Sequence, residues 1–428
     1  MNLLIKNIDV IPMTEKNLIL ENVDIHIVDN RISYIGVEKD GFTADKIIDG
    51  KGKIAIPGLI NAHTHLGMSL MRNYADDLDL MTWLQDEIWP FEAKLGREDI
   101  YYASKLSMIE LIKSGCTAFV DMYFEMDRVA DAALEIGIRG VVTPGYIEDD
   151  KSEDRIRNYR NIYEKYNDKD GLIKVMIAPH SPYTVGKEHL LKLIKLAKEL
   201  NTGIHIHLSE TKMEVENAMR DFGKSPIAYV EELGLFEVHT IAAHCVHVDE
   251  NDMRILAENN VFVVHNPSSN LKLASGFAKV DKMMELGVKV ALGTDGASSN
   301  NNLNMMEEMH IASLLGKAVS NDPKALDAYQ TLEMATINGA KSFGMGDELG
   351  SLENGKLADI AIIDMNKTHL VPANNKISMI VYAAQASDVD TVIINGRVVM
   401  ENGELIGVDE ASIVDEVNKR LRALKETK

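Results

Sequence analysis

"GLINAHTHLG" (58–67) closes a short apolar run with two histidines one residue apart, His63 and His65. Residues two apart on a strand point to the same face. Two imidazoles aimed at one point suit a metal ion, but a lone pair also arises from ordinary packing. Its surroundings decide. "IAIPGLINAH" (54–63) is the first of eight strand-like runs; the others are "CTAFVDMY" (116–123), "IRGVVTPGY" (138–146), "IKVMIAPHSP" (173–182), "GIHIHLSE" (203–210), "TIAAHCVH" (240–247), "VFVVHNPSS" (261–269) and "VKVALGTDG" (288–296). Helical stretches such as 187–200 and 215–234 separate them, with apolar residues recurring every three or four positions. Such alternation predicts a parallel sheet buried on both faces. Eight units in roughly 280 residues have the size of a (β/α)8 barrel, with an open doubly wound sheet as the alternative.

The flanks read differently. Residues 1–56 hold short alternating β segments, and "ADIAIIDM" (358–365), "ISMIVYAA" (377–384) and "VDTVIINGRVVMENGE" (389–404) resume that style, with turn chemistry at Asn395-Gly396 and Asn402-Gly403. Such short terminal segments need partners, and each other are the nearest ones. The expected fold is therefore α/β: a (β/α)8 TIM barrel over 57–347, with 1–56 and 348–428 forming one small composite β-sandwich domain. The last residues, from 411, read as a surface helix.

Composition narrows the function. The chain has 428 residues, 46% of them hydrophobic, and a net charge of −21. No basic run is present, which disfavours nucleic acid and anionic membrane surfaces and favours a small-molecule substrate. No apolar run reaches 18 residues, so no membrane span is expected. The opening segment carries Lys6 and Asp9 within its apolar stretch, unlike a secretory signal, and there are only two cysteines. A cytoplasmic location is expected.

Chemistry in a barrel of this kind gathers at the C-terminal strand ends. The polar residues there are His63, His65, Asp121, Tyr146, His180, His207 followed by Glu210, His244, His247, His265 and Asp295. One buried histidine is unremarkable packing. Five or more at one rim are costly unless they bind something. Neutral imidazoles of His63, His65 and His207 with the Asp295 carboxylate give a ligand set that zinc accepts while leaving room for water. Fe2+ or Mn2+ fits the same set. His205 competes with His207 but lies one layer deeper. No strand end carries a lysine, so one metal is expected. His26, His189, His239, His310 and His369 fall elsewhere and read as surface or packing residues.

"PGLINAHTHLGMSLMRNYADD" (57–77), "HIHLSET" (205–211), "AAHCVHV" (242–248), "HNPSSNLKLASG" (265–276) and "LGTDGASSNNNLNM" (292–305) together resemble the amidohydrolase superfamily. Within it the chain resembles the 5-methylthioadenosine/S-adenosylhomocysteine deaminases and their chlorohydrolase relatives, nearly end to end. The resemblance implies that His63, His65, His207 and Asp295 bind the metal, that Glu210 shuttles the proton and that His244 assists the attacking water. It further implies that Trp83 and Glu92 cover the nucleoside and bind its ribose, with His180 and Ser299 as additional substrate contacts. One departure stands out. Homocysteine-binding members carry an arginine where this chain has Pro144, which favours nucleosides with a neutral 5′ group; Arg155 or Arg157 is the candidate for a second basic contact.

The reaction so implied is hydrolytic deamination of an adenosine-type nucleoside by a homo-oligomer (dimer or tetramer). The rivals are another amidohydrolase activity, such as guanine or cytosine deamination or chlorotriazine hydrolysis, and a barrel without chemistry serving assembly. "GSLENGKL" (350–357) approaches a phosphate-loop pattern but ends in Leu357 where a hydroxyl is needed and precedes β sequence, so it reads as a turn.

Overall fold

The computed structural model describes residues 1–37, 41–149 and 152–426. The chain is mixed α/β, and its strands form two systems. The central system holds eight parallel strand positions. These are β1 (Leu59–His65), β2 (Cys116–Tyr123), β3 (Arg139–Tyr146), β4 (Ile173–Val175 with Ala178–Pro179), β5 (Ile204–Leu208), β6 (Thr240–His244), β7 (Phe262–His265) and β8 (Lys289–Leu292 with Asp295–Gly296). Pairing runs from β1 through β2 and β3 to β4. It passes to β5 through a bridge between Ile177 and Ile204 and continues through β6 and β7 to β8. Asp295–Gly296 then pairs with Thr64–His65, so β8 returns to β1.

Apolar side chains from most of these strands meet in one buried cluster, including Ile60, Ala118, Val141, Ile241, Val264 and Ala291. The opposite strand faces pack under amphipathic helices. Lys187–Leu200, one of them, buries Leu190, Leu193, Ile194 and Ala197 at helical spacing.

The second system is a sheet shared by both ends of the chain. Lys53–Pro57 lies between Asn2–Val10, its parallel neighbour, and Ile360–Asp364, its antiparallel one. Asn395 and Gly396 both take positive φ (50° and 74°), as do Asn402 and Gly403 (53° and 77°). Left-handed pairs of this kind suit tight hairpins.

Three expectations need correction. "IAIPGLINAH" is not one strand: the chain leaves the terminal sheet at Pro57 and enters β1 at Leu59. Gly58 sits between them so close to Thr117 that a Cβ would come within 2.1 Å of its Oγ1. The helical stretch 215–234 is two helices, Lys212–Phe222 and Pro226–Glu232. Gly223, at φ 69°, ends the first, and the Ser225 hydroxyl caps the second ahead of Pro226. Residues 377–384 are not β but lie mostly in the helix Lys376–Tyr382, capped by Asn375, with Ile377, Ile380 and Val381 buried. A short apolar run carries no period that separates the two states.

Arg139, at the start of β3, ties the two systems together. Its guanidinium donates to both carboxylate oxygens of Asp359, each at 3.1 Å, and both side chains are buried. Asp359 also accepts the backbone N–H of Asn395 at 2.8 Å. Removing one partner strands the other's charge out of water. Arg139→Ala is expected to lower unfolding free energy by about 3–5 kcal/mol, measured by urea titration.

Candidate metal centre and active site

The C-terminal ends of β1, β5, β6 and β8 converge. The His63 ring centre is 4.8 Å from that of His65 and 4.9 Å from that of His207. Asp295 Oδ1 stands 3.1 Å from His65 Nε2 and 3.4 Å from His63 Nε2. Ligand atoms of His63, His65 and Asp295 lie within 4.8 Å of one another, and so do those of His63, His207 and His244.

The other ring nitrogens explain why the rings face inward. His207 Nδ1 donates to the carbonyl of His180 at 2.8 Å, and His65 Nδ1 donates to that of Met122. His63 Nδ1 is 2.9 Å from His205 Nε2. With Nδ1 occupied, Nε2 carries the lone pair that a metal takes. His63 Nε2 is fully buried with no hydrogen-bond partner. An orphan of that kind beside two more imidazoles and a carboxylate fits a divalent cation.

Electrostatics support the same reading. Burial pushes His63 down to about 3 and His207 well below its ordinary value, so both rings are neutral. For His65, burial opposes the charge, but the hydrogen bond and charge of Asp295 outweigh it and lift the pKa to about 9. Burial likewise disfavours the Asp295 carboxylate, yet the His63 and His65 imidazoles close against it hold it well below the usual range. Asp295 Oδ2 accepts from Ser269 Oγ at 2.5 Å and Ser299 Oγ at 2.9 Å, which leaves Oδ1 for the histidines. Backbone strain concentrates here too: Ser209, His244, Cys245 and Asp295 all have left-handed φ (52°, 73°, 47° and 61°).

A cavity opens over the cluster, lined among others by Trp83, Glu92, Tyr123, Phe124, His180, Tyr183, Glu210 and His244. Among the described residues, none that lines it is Lys or Arg. Glu210 Oε2 is 3.8 Å from His244 Nε2. Burial raises the Glu210 pKa, so its carboxyl accepts a proton more readily than an exposed one. His244 Nδ1 faces Asn270 Oδ1 at 2.9 Å, which turns its Nε2 toward the site. Glu92 accepts the Tyr123 hydroxyl at 2.6 Å, and burial raises its pKa as well.

His63, His65, His207, Asp295, Glu210 and His244 thus come together, with Trp83, Glu92 and His180 on the cavity wall above. Ser299 does not line the cavity; it holds Asp295. Asp121 accepts the backbone N–H of Leu66 at 2.9 Å, and His247 donates to the carbonyl of Ser275 at 2.5 Å; neither lines the cavity, nor do Tyr146 and His265. His205 sits behind His63 rather than replacing His207. Sequence reasoning passed over Tyr123, Ser269 and Asn270. The last two lie inside the quoted "HNPSSN", and Tyr123 ends a strand named there. Pro144 gives its carbonyl to the Tyr159 hydroxyl, while Arg155 and Arg157 pair with Asp149 and Asp154.

Residues 54–399 match the model of the amidohydrolase family. The chain belongs to this family. The 5-methylthioadenosine/S-adenosylhomocysteine deaminase of Thermoanaerobacter pseudethanolicus is 54% identical over 428 residues, 99% of each chain. The enzyme so named from Caldanaerobacter subterraneus is 51% identical with the same coverage. Among amidohydrolase-like structures, an adenosine deaminase from Xanthomonas campestris with bound zinc superposes at a TM-score of 0.96 and 35% identity, covering 98% of both chains. The zinc complex of atrazine chlorohydrolase from Arthrobacter aurescens, at 24% identity and a TM-score of 0.92 over 98% of this chain and 100% of its own, shares the fold. Among the described residues, no helix of this amidohydrolase is long and apolar enough to cross a membrane.

Proposed function

We propose that this amidohydrolase removes the exocyclic amine of adenosine-type nucleosides bearing a neutral 5′ group, such as 5-methylthioadenosine or 5′-deoxyadenosine, giving the inosine analogue and ammonia. The observation that carries the reading is the placement of Glu210 and His244 beside three inward imidazoles and Asp295, at the floor of a cavity with aromatic walls and, among the described residues, no Lys or Arg. The ring of parallel strand positions is read as a (β/α)8 barrel over 57–347, and the shared terminal sheet as a sandwich-like domain of 1–56 and 348–428. A cytoplasmic homo-oligomer, dimer or tetramer, fits the family and the charge.

His63, His65, His207 and Asp295 would hold one divalent cation, zinc by the donor set, with Fe2+ or Mn2+ also compatible. When bound, it supplies the Lewis acidity that makes water a nucleophile at neutral pH. The chain's own groups move the protons. Glu210 takes one from the attacking water and delivers it to the ring nitrogen beside C6, where negative charge would otherwise build up. His244, its tautomer fixed by Asn270, orients the water through Nε2. Asp295 is held by Ser269 and Ser299 and accepts the remaining proton, which leaves with ammonia. Glu92 keeps one carboxylate oxygen on Tyr123 and offers the other to ribose hydroxyls. Trp83 and Phe124 exclude water from the base.

The absence of Lys and Arg from the described lining bears on the 5′ end. A homocysteine carboxylate placed there would lose water without gaining a charge partner. Ammonia release from the metal-loaded protein is expected to be at least ~10-fold faster in kcat/KM on 5-methylthioadenosine than on S-adenosylhomocysteine. Equal rates on the two would contradict the 5′ reading. Release from guanine but from no adenosine nucleoside would favour a different amidohydrolase activity.

A further inference from the structure

Glu210 sits on the turn between β5 and the helix Lys212–Phe222, and something must fix that turn. Ser209 is left-handed at φ 52°, and its carbonyl accepts the His247 N–H at 2.9 Å. Thr211 caps the helix by accepting the Glu214 N–H at 3.1 Å. Thr-x-x-Glu is the spacing of a reciprocal capping box, in which the glutamate reaches back to the cap residue's own N–H. Glu214 reaches further. Its Oε1 accepts the N–H of Ser209 at 2.9 Å, and its Oε2 accepts that of Glu210 at 2.8 Å. Glu214 is buried, at 7% exposure, unlike an ordinary surface cap.

We infer that Glu214 is a positioning residue for the proton shuttle: its carboxylate clamps two successive backbone N–H groups and so fixes where the Glu210 carboxyl stands. The inference rests on the function proposed above. Glu210 has to reach both the water and the ring nitrogen, and proton transfer tolerates little displacement. Each carboxyl oxygen accepts one N–H, so both groups are satisfied at once. In Glu214→Gln one oxygen becomes an NH2 that faces an N–H, and the turn has to shift.

The test is a double-mutant cycle of Glu214→Gln with Glu210→Gln, assayed on 5-methylthioadenosine with metal content measured throughout. Glu214→Gln alone is expected to lower kcat ~10- to 100-fold. KM should stay within about threefold and metal content should be unchanged. In the Glu210→Gln background the same change should cost little, since the group it positions no longer shuttles. Equal losses in both backgrounds, an unchanged kcat, or lost metal would overturn the inference. If Glu214→Gln does not fold, Glu214→Asp, which keeps two acceptors on a shorter arm, is read through the same cycle. Should the wild-type protein release no ammonia from any nucleoside, the proposed function fails by itself. Amide exchange at Glu210 then decides the clamp: Glu214→Gln should speed it, and unchanged exchange would overturn the inference.

Discussion

Replacing Glu210 with Gln is expected to lower kcat for 5-methylthioadenosine by at least ~100-fold, the range for a general acid–base group. Gln is nearly isosteric, fills the same buried position and can still hydrogen-bond, but it cannot carry the proton from water to the purine. KM should change little, because Gln keeps the size and shape that Glu210 gives the cavity wall. Metal content should match the wild type, because Glu210 is not among the four proposed ligands. Steady-state kinetics with elemental analysis of the same preparation checks this. A variant with full turnover would remove Glu210 from the proton path. A variant without metal would show that it helps hold the cation.

The second large effect concerns pH. His65 stands at about 9 because Asp295 stabilises its protonated form against the cost of burial. A cation and a proton cannot share the same nitrogen, so metal uptake below pH 9 has to expel a proton. The sign follows: the folded pKa is raised, so protons compete with metal throughout the neutral range and stop competing only above it. Apparent zinc affinity of the apo protein should fall about 10-fold for each pH unit below that value, or roughly 100-fold from pH 8 to pH 6. His63 and His207, already neutral, add nothing to this slope. Calorimetry in two buffers of different ionisation enthalpy should find close to one proton released per zinc at pH 7. No release would mean that His65 is neutral before the metal arrives.

The chemistry was more legible than its supports. His63 and His65 announce themselves because strand period is two, and their pairing with a distant histidine and aspartate follows once each ends a strand of one parallel system. Ser299 shows the limit. Its motif marks it as part of the site, but the turn after Asp295 folds its hydroxyl back onto that carboxylate. Which of two neighbours a hydroxyl meets is set by turn geometry, and one sequence does not carry that. Glu214 hid for a similar reason, since its spacing matches a routine helix cap and only the coordinates show the carboxylate passing Thr211 to reach Glu210. The helix at 376–382 was misread because Ile, Met and Val crowd a segment too short to display a period. Gly58 was read as the middle of a strand, yet the close approach of Thr117 makes it the joint between the two strand systems.

The central claim is that His63, His65, His207 and Asp295 hold one divalent cation at a single point. An anomalous difference map from crystals of the zinc-loaded protein tests it most directly. The account predicts one strong peak per chain, bonded to the Nε2 atoms of the three histidines and to Asp295 Oδ1. A peak ligated by other residues, a second peak of equal height beside it, or no peak among these side chains would contradict it.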